Sequence, residues 1–212
     1  MSVYSLENKR VLKVKNKAAE FLKAYTTNTL DKPRNAFVDL QGKIVAVVDQ
    51  VLLSQDEVLL AVERQFVGRL MSHLDKYLRL GDTVIEVDAR WNAAFDLDRG
   101  IVLLKAEKFS STVSDEEYRL YRVKNNLPVQ GVDFDREMLL NVFDEELVSY
   151  TKGCYLGQEI IARVHYRSKP PKKLVVKREN ECSPEEKTAI SSKVKDPETG
   201  ENIGFVFVSH SV

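Results

Sequence analysis

The strongest periodicity in the chain lies at residues 64–80. Phe66, Val67, Leu70, Met71, Leu74, Tyr77 and Leu78 recur there at three- and four-residue steps. That spacing draws one apolar stripe along an α-helix. Such a stripe is the core-facing side of a helix, and Gly81-Asp82 ends it. Upstream the period is two. Residues 9–15 alternate as a strand, and an Asn16 N-cap then opens a helix to about Tyr25. Residues 34–40 and 43–53 flank the Gln41-Gly42 turn and read as a hairpin, with a further strand at 57–62. Downstream, residues 83–87, 89–97 and 101–106 read as strands separated by charged turns. Ser114 and Glu117 stand at capping-box distance and open another helix. Asn125-Asn126-Leu127-Pro128 breaks it; Asn126 tolerates the left-handed conformation such a break needs. Alternating groups of strands and helices with antiparallel hairpins predict an α+β fold, layered antiparallel sheets with packed helices.

The pattern changes at Lys152-Gly153-Cys154-Tyr155-Leu156-Gly157-Gln158-Glu159-Ile160-Ile161-Ala162-Arg163. Two glycines bracket a cysteine and an aromatic, and Ile160, Ile161 and Val164 then mark a short amphipathic helix. Cys154 falls just before a helix N-terminus, where free N–H groups and the dipole favour a thiolate. Lys152 and Arg163 add positive charge nearby. The other reading open to this cysteine is an inert thiol in a packed turn. The helix ends near Tyr166, and Ser168-Lys169-Pro170-Pro171 is a rigid break. A domain boundary is expected there, between 1–168 and a small all-β domain at 172–212. Strands are expected at 174–176, 188–190 and 202–208, with Lys193-Val194-Lys195 joined to the last by the turn at Asp196-Pro197-Glu198-Thr199-Gly200.

Composition narrows the function. Of 212 residues, 43% are hydrophobic, and 32 basic side chains balance 32 acidic ones. A neutral chain has no broad basic field for nucleic acid, so direct nucleic-acid binding is not expected. A local basic run from Arg163 to Arg178 is either a solvated face or an attractor for an anionic ligand tail or acidic partner. No apolar run is long enough to span a bilayer, so no membrane role is expected. The two cysteines, Cys154 and Cys182, lack metal-clip spacing, and the three histidines, His73, His165 and His210, suggest no metal site. A reducing, cytoplasmic setting is the expectation. No Ser-His-Asp set and no glycine-rich phosphate loop is visible, which leaves Cys154 as the residue with a chemical argument.

The segment from Lys152 to Glu159 closely resembles the Lys-Gly-Cys-Tyr-x-Gly-Gln-Glu signature of the YgfZ-like folate-binding proteins, relatives of the glycine-cleavage T-protein (aminomethyltransferase). Gln41-Gly42-Lys43, the Asn16–Leu22 helix opening and the Arg122-to-Pro128 segment resemble further stretches of that family. The resemblance implies a tetrahydrofolate-binding accessory protein in iron–sulfur cluster assembly or repair, with iron–sulfur proteins or assembly factors as partners. It implies Cys154 as the reactive residue. It implies a folate site among Arg122, Lys152, Gly153, Tyr155, Gly157, Gln158, Glu159, Arg163, Gln41 and Asp49, with no metal. Arg122 would pair with a folate or scaffold carboxylate; the alternative is a surface ion pair. One departure bears on activity. Catalytic aminomethyltransferases carry an aspartate shortly after the hairpin glycine, and here that place holds Val47. Asp49 lies two residues on, on the same strand face. Two alternative functions stay open: one-carbon transfer using Asp49, and a scaffold that binds a protein partner. The C-terminal part is shorter than that family's β-barrel.

Overall fold

In the computed structural model, the structure describes residues 1–209, the Glu145 side chain excepted. His210 and the end of the expected C-terminal domain lie outside the described residues. The centre is a five-stranded antiparallel sheet in the order β3-β4-β5-β2-β6. Its strands are β2 (Lys9–Lys15), β3 (Arg34–Val38), β4 (Ile44–Leu52), β5 (Glu57–Glu63) and β6 (Val84–Val87). β4 is buried from Ile44 through Gln50, which suits its valine-rich sequence. β1 (Val3–Ser5), β7 (Asn92–Asp96) and β8 (Ile101–Lys105) form a second, three-stranded sheet with β7 in the middle.

Alternation along the strands sorts side chains to two faces. Leu12, Val14, Leu60 and Val62 meet α1 (Ala18–Tyr25) and α2 (Val67–Leu78) through Leu22, Leu70 and Leu74. The long apolar stripe is therefore core, with a 3-10 turn over Arg64–Phe66 ahead of the α-helix. On the opposite face, Val11, Leu59 and Ala61 cover the small sheet through Ala93. Beside them Ala36, Val38, Ile44 and Val47 join a cluster with Val123, Phe143, Leu147, Tyr155 and Ile161. That cluster takes in α3 (Asp115–Lys124), α4 (Leu139–Val142) and α5 (Gln158–Arg167). It also includes Leu174, Val194, Ile203 and Phe205, from the third sheet. There β11 (Asn202–Ser209) lies between β9 (Lys172–Arg178) and β10 (Ser191–Lys195).

The fold class is as expected, and the Ser114–Glu117 capping box is formed in both directions. Asn126 adopts φ 51°, the left-handed turn expected of it. Three local expectations fail. Asn16 is not the N-cap of α1: it and Lys17 both have positive φ, and its side-chain amide donates to Asp82 O at 3.1 Å instead. Residues 188–190 are not a strand. Thr188 and Ala189 finish α6 (Pro184–Ala189), which a Ser183–Glu186 capping box and a proline at its first turn define. The strand foreseen at 89–97 covers only Asn92–Asp96, because Arg90 binds back to Asp88 and holds a turn there.

Candidate functional site

The signature loop is fastened to the end of α1. Leu156 N donates to Ala24 O at 3.0 Å and Ser149 N to Thr27 O at 2.9 Å, so the loop satisfies carbonyls the helix end leaves open. Thr27 Oγ1 donates to Leu147 O at 2.6 Å, and the Asn28 amide to Glu146 O at 2.9 Å. Lys152 Nζ donates to Thr26 O at 2.6 Å and Asn28 O at 3.0 Å, and lies 4.9 Å from the centre of the Tyr155 ring. Tyr155 is buried; burial, and then the neighbouring Tyr150, push its phenol above the ordinary range.

Gly157 seats the start of α5. Its φ is 82°, and a Cβ there would stand 2.5 Å from Asp39 O and 2.8 Å from Val38 Cγ2. Only glycine allows the helix start to approach the end of β3 this closely. The hairpin turn meets the same helix: a Cβ on Gly42 would touch Ile161 at 3.3 Å. Gln41 is exposed at that turn, with its N–H on Asp39 Oδ1 at 2.9 Å. Gln158 Oε1 accepts from Tyr155 N at 3.4 Å, while Glu159 and Arg163 face solvent from α5.

Between these anchors Cys154 is exposed with a free thiol, beside an equally exposed Gly153. The packed-turn reading therefore does not describe Cys154. It describes Cys182, which is buried with its sulfur directed at Arg178 O at 3.3 Å. Next to the loop, Lys152 lines an open cleft of about 380 Å³ together with Lys23, Glu20, Asn28, Leu30 and Gln55. Burial, and then the charge of Lys23, hold the Lys152 ammonium down to a pKa of about 8.

Asp49 and Arg122 line a different cavity. It measures about 60 Å³ and lies between β4, α3 and the loops after α3 and before β8. A wide cleft of about 710 Å³ shares Leu6, Lys9, Tyr118, Arg122 and Val129 with it. Asp49, 8% exposed, is held by Lys9 Nζ at 2.9 Å, which also reaches Glu63 at 3.2 Å; Arg34 Nε stands 3.7 Å from Asp49. Burial opposes the Lys9 charge, but the Asp49 and Glu63 carboxylates outweigh it and keep its pKa above the ordinary lysine range. Asp49 thus sits within β4, inside a buried charge cluster. Val47, at the place of the expected carboxylate, is buried in the core, and its N–H donates to Gln130 Oε1 at 2.9 Å.

Arg122 is not in a surface pair. Nη1 donates to Asp133 Oδ2 at 3.0 Å and Leu127 O at 3.1 Å, and Nη2 to Ser192 Oγ at 2.9 Å. Asp133 in turn accepts from the Ser191 hydroxyl at 2.7 Å and the Ser192 hydroxyl at 2.5 Å. This network ties α3 to β10. Around it the wide cleft carries Tyr4 stacked on Tyr118 at 4.1 Å, with Arg119 and Lys193 on its walls. Burial pushes the Tyr118 phenol up to about 12, against the lowering effect of Arg122 and Lys9.

Of the predicted residues, Lys152 lines one cavity and Asp49 with Arg122 another, while Gln41, Gly153, Cys154, Glu159 and Arg163 are exposed and line neither. Sequence reasoning missed Lys9, Lys23, Tyr118 and Asp133. Only Tyr118 carried a signal, as an apolar position of the α3 helix; the other three are ordinary charges in strand, helix and loop. Among the described residues no group of three or more His, Cys, Asp or Glu side chains is placed to hold a metal ion, and no helix is long and apolar enough to cross a membrane.

No protein-family model matches the chain. It is 25% identical over 153 residues to an uncharacterized protein of Haemophilus influenzae, covering 62% of this chain and 55% of that protein. It is 34% identical over 77 residues to a mitochondrial iron–sulfur cluster assembly factor IBA57 homolog of Mycosarcoma maydis, covering 34% of this chain and 19% of that protein. These matches span about half of the first relative's length and a fifth of the second's. A crystal structure of the glycine cleavage system aminomethyltransferase T from Bartonella henselae superposes with a TM-score of 0.68 at 11% identity, over 98% of this chain and 78% of that one. By that superposition this chain has the fold of the glycine-cleavage aminomethyltransferases.

Proposed function

We propose that the protein is a folate-binding accessory factor in iron–sulfur cluster assembly or repair, with Cys154 as its reactive group. The observation that carries this reading is a separation within the fold. An exposed thiol stands on a fastened loop, while the hairpin strand offers no free carboxylate at the place methylene transfer would use. Val47 replaces the carboxylate that methylene transfer would use, and Asp49 is neutralised by Lys9 and Arg34. The wide cleft nevertheless fits a folate in kind. Its volume, about 710 Å³, lies in the usual range for small-molecule sites. Tyr4 and Tyr118 offer aromatic surface for a flat ring, and Arg119 and Lys193 offer charge for a carboxylate tail. Similarity to an iron–sulfur cluster assembly factor over the matched 77 residues supports the client class. In this reading residues 1–168 carry most of the folate site, and the C-terminal sheet completes its wall through Ser192 and Lys193.

Two measurements test it. Calorimetric titration with tetrahydrofolate should give saturable binding that Arg119→Glu weakens; no heat and no thermal shift would leave only a scaffold. Cys154→Ala should keep folate binding and lose complementation of an iron–sulfur assembly defect. Full complementation by that variant would remove the thiol from the mechanism.

A further inference from the structure

The cleft beside the signature loop presents a charge problem that the folate reading does not use. Lys152 is half-buried, and among the described residues no carboxylate stands within ion-pairing distance of its ammonium. Two of its three N–H groups go to the Thr26 and Asn28 carbonyls. These cap the end of α1, where the helix dipole favours a cation. The rest of its surroundings are the Tyr155 ring and the cleft. The nearest charge on the facing wall has the same sign: Lys23 of α1 lines the cleft and its Cε lies 3.7 Å from where a Gly153 Cβ would stand. Among the described residues neither lysine is in an ion pair. Glu20, one turn earlier on α1, also lines the cleft but bonds to neither of them. Tyr155 is the other titratable group packed on Lys152, and it stays neutral. Desolvated charges in proteins are normally compensated. Here two cations line a cavity of about 380 Å³, and no compensating carboxylate pairs with either of them among the described residues.

We infer that this cleft is a binding site for a small oxyanion-bearing ligand, with its phosphate or carboxylate group bridging Lys23 and Lys152. The free N–H of Lys152 would donate to one oxygen and the mobile Lys23 ammonium to another, while the unbonded Gln55 amide at the rim could reach the ligand body. Lys152 stands two residues before Cys154 in sequence, so occupancy would bring negative charge to the same loop as the thiol. The inference does not rest on folate binding, because Arg122 and Tyr118 line another cavity.

Lys152 supplies the decisive signature. With a pKa held at about 8 by burial and then by Lys23, a fraction of Lys152 is neutral at that pH. An anion beside it favours the ammonium, so binding must take up protons near pH 8. Calorimetry of the full chain with inorganic phosphate and, separately, with citrate is run in two buffers of different ionisation enthalpy, at constant ionic strength. At least one anion should bind with proton uptake, and affinity should fall as pH rises through about 8. Lys23→Gln, at an exposed position that leaves the fold intact, should weaken binding about tenfold or more, equivalent to about 1.4 kcal/mol. Lys152→Arg should still bind and lose the proton uptake. Glu20→Gln should tighten binding. Phosphate alone or citrate alone binding in this way identifies the ligand's acidic group. Absence of binding by both anions overturns the inference, and so does binding that Lys23→Gln leaves unchanged or that occurs without proton uptake.

Discussion

Replacing Gly157 with alanine is the sharpest test of how the loop is built. The residue has φ 82°, and its added Cβ would meet Asp39 O at 2.5 Å and Val38 Cγ2 at 2.8 Å. Neither neighbour is the free end of a flexible side chain: one is backbone at the end of β3, and the other belongs to a fully buried valine. The left-handed backbone costs an L-residue roughly 1–2 kcal/mol, and forcing a methyl into a filled space costs roughly 1–3 kcal/mol more. The sum, roughly 2–5 kcal/mol, is a large part of the 5–15 kcal/mol that holds a typical domain together. Gly153→Ala is the internal control. That glycine has no positive φ, and its nearest foreign atom is Lys23 Cε at 3.7 Å, the far end of a flexible side chain. Its variant should lie within about 0.5 kcal/mol of the parent. Urea unfolding of the three proteins, followed by far-UV circular dichroism, gives both differences. Equal stability of the two variants, whether both damaged or both intact, would refute the claim that the second glycine holds α5 against β3.

Four further outcomes follow from the same geometry. Asp133→Asn should destabilise by roughly 3–5 kcal/mol, because it strands a buried guanidinium; the same denaturation assay reads it, and a loss under 1 kcal/mol would show that Arg122 is solvated. Cys154→Ala should change stability by less than about 0.5 kcal/mol, since an exposed thiol carries little packing, whereas Cys182→Ser should cost measurably more. Lys152 has a folded pKa of about 8, below the unfolded value of about 10.4, so the unfolded chain binds more protons between those values. Its contribution to stability therefore improves as pH rises from about 8 towards 10, and Lys152→Met should flatten that rise in a pH series of melting curves. Asp49→Asn should weaken the fold through Lys9 without abolishing any methylene transfer; turnover present in the parent and lost in this variant would instead favour a one-carbon transferase.

The secondary structure was largely legible because it rests on short-range rules. A seven-member apolar stripe makes α2 helical wherever it docks, and Ser114 with Glu117 caps α3 using atoms three residues apart. Where two local signals compete, one of them wins: Ser183-Pro184-Glu185-Glu186 is as good a helix start as Ser114-Asp115-Glu116-Glu117, and it carries Thr188 and Ala189 into α6 against their place in an expected strand. Asn16 departs from its expected role for the opposite reason, since the distant turn before β6, at Asp82, draws its side chain away from the helix.

By itself the sequence determined the helix and strand periods, the α+β class and the glycine-bracketed loop with its cysteine, because each of these is written in contacts spanning a few residues. Only the tertiary structure decided that Cys154 is open to solvent and Cys182 is not. It also decided that Asp49 meets Lys9 across β4, β5 and β2, and that Arg122 is spent on Asp133 and Ser192. Burial and charge pairing depend on which strands come to lie side by side, and a single side chain holds no record of its partner tens of residues away.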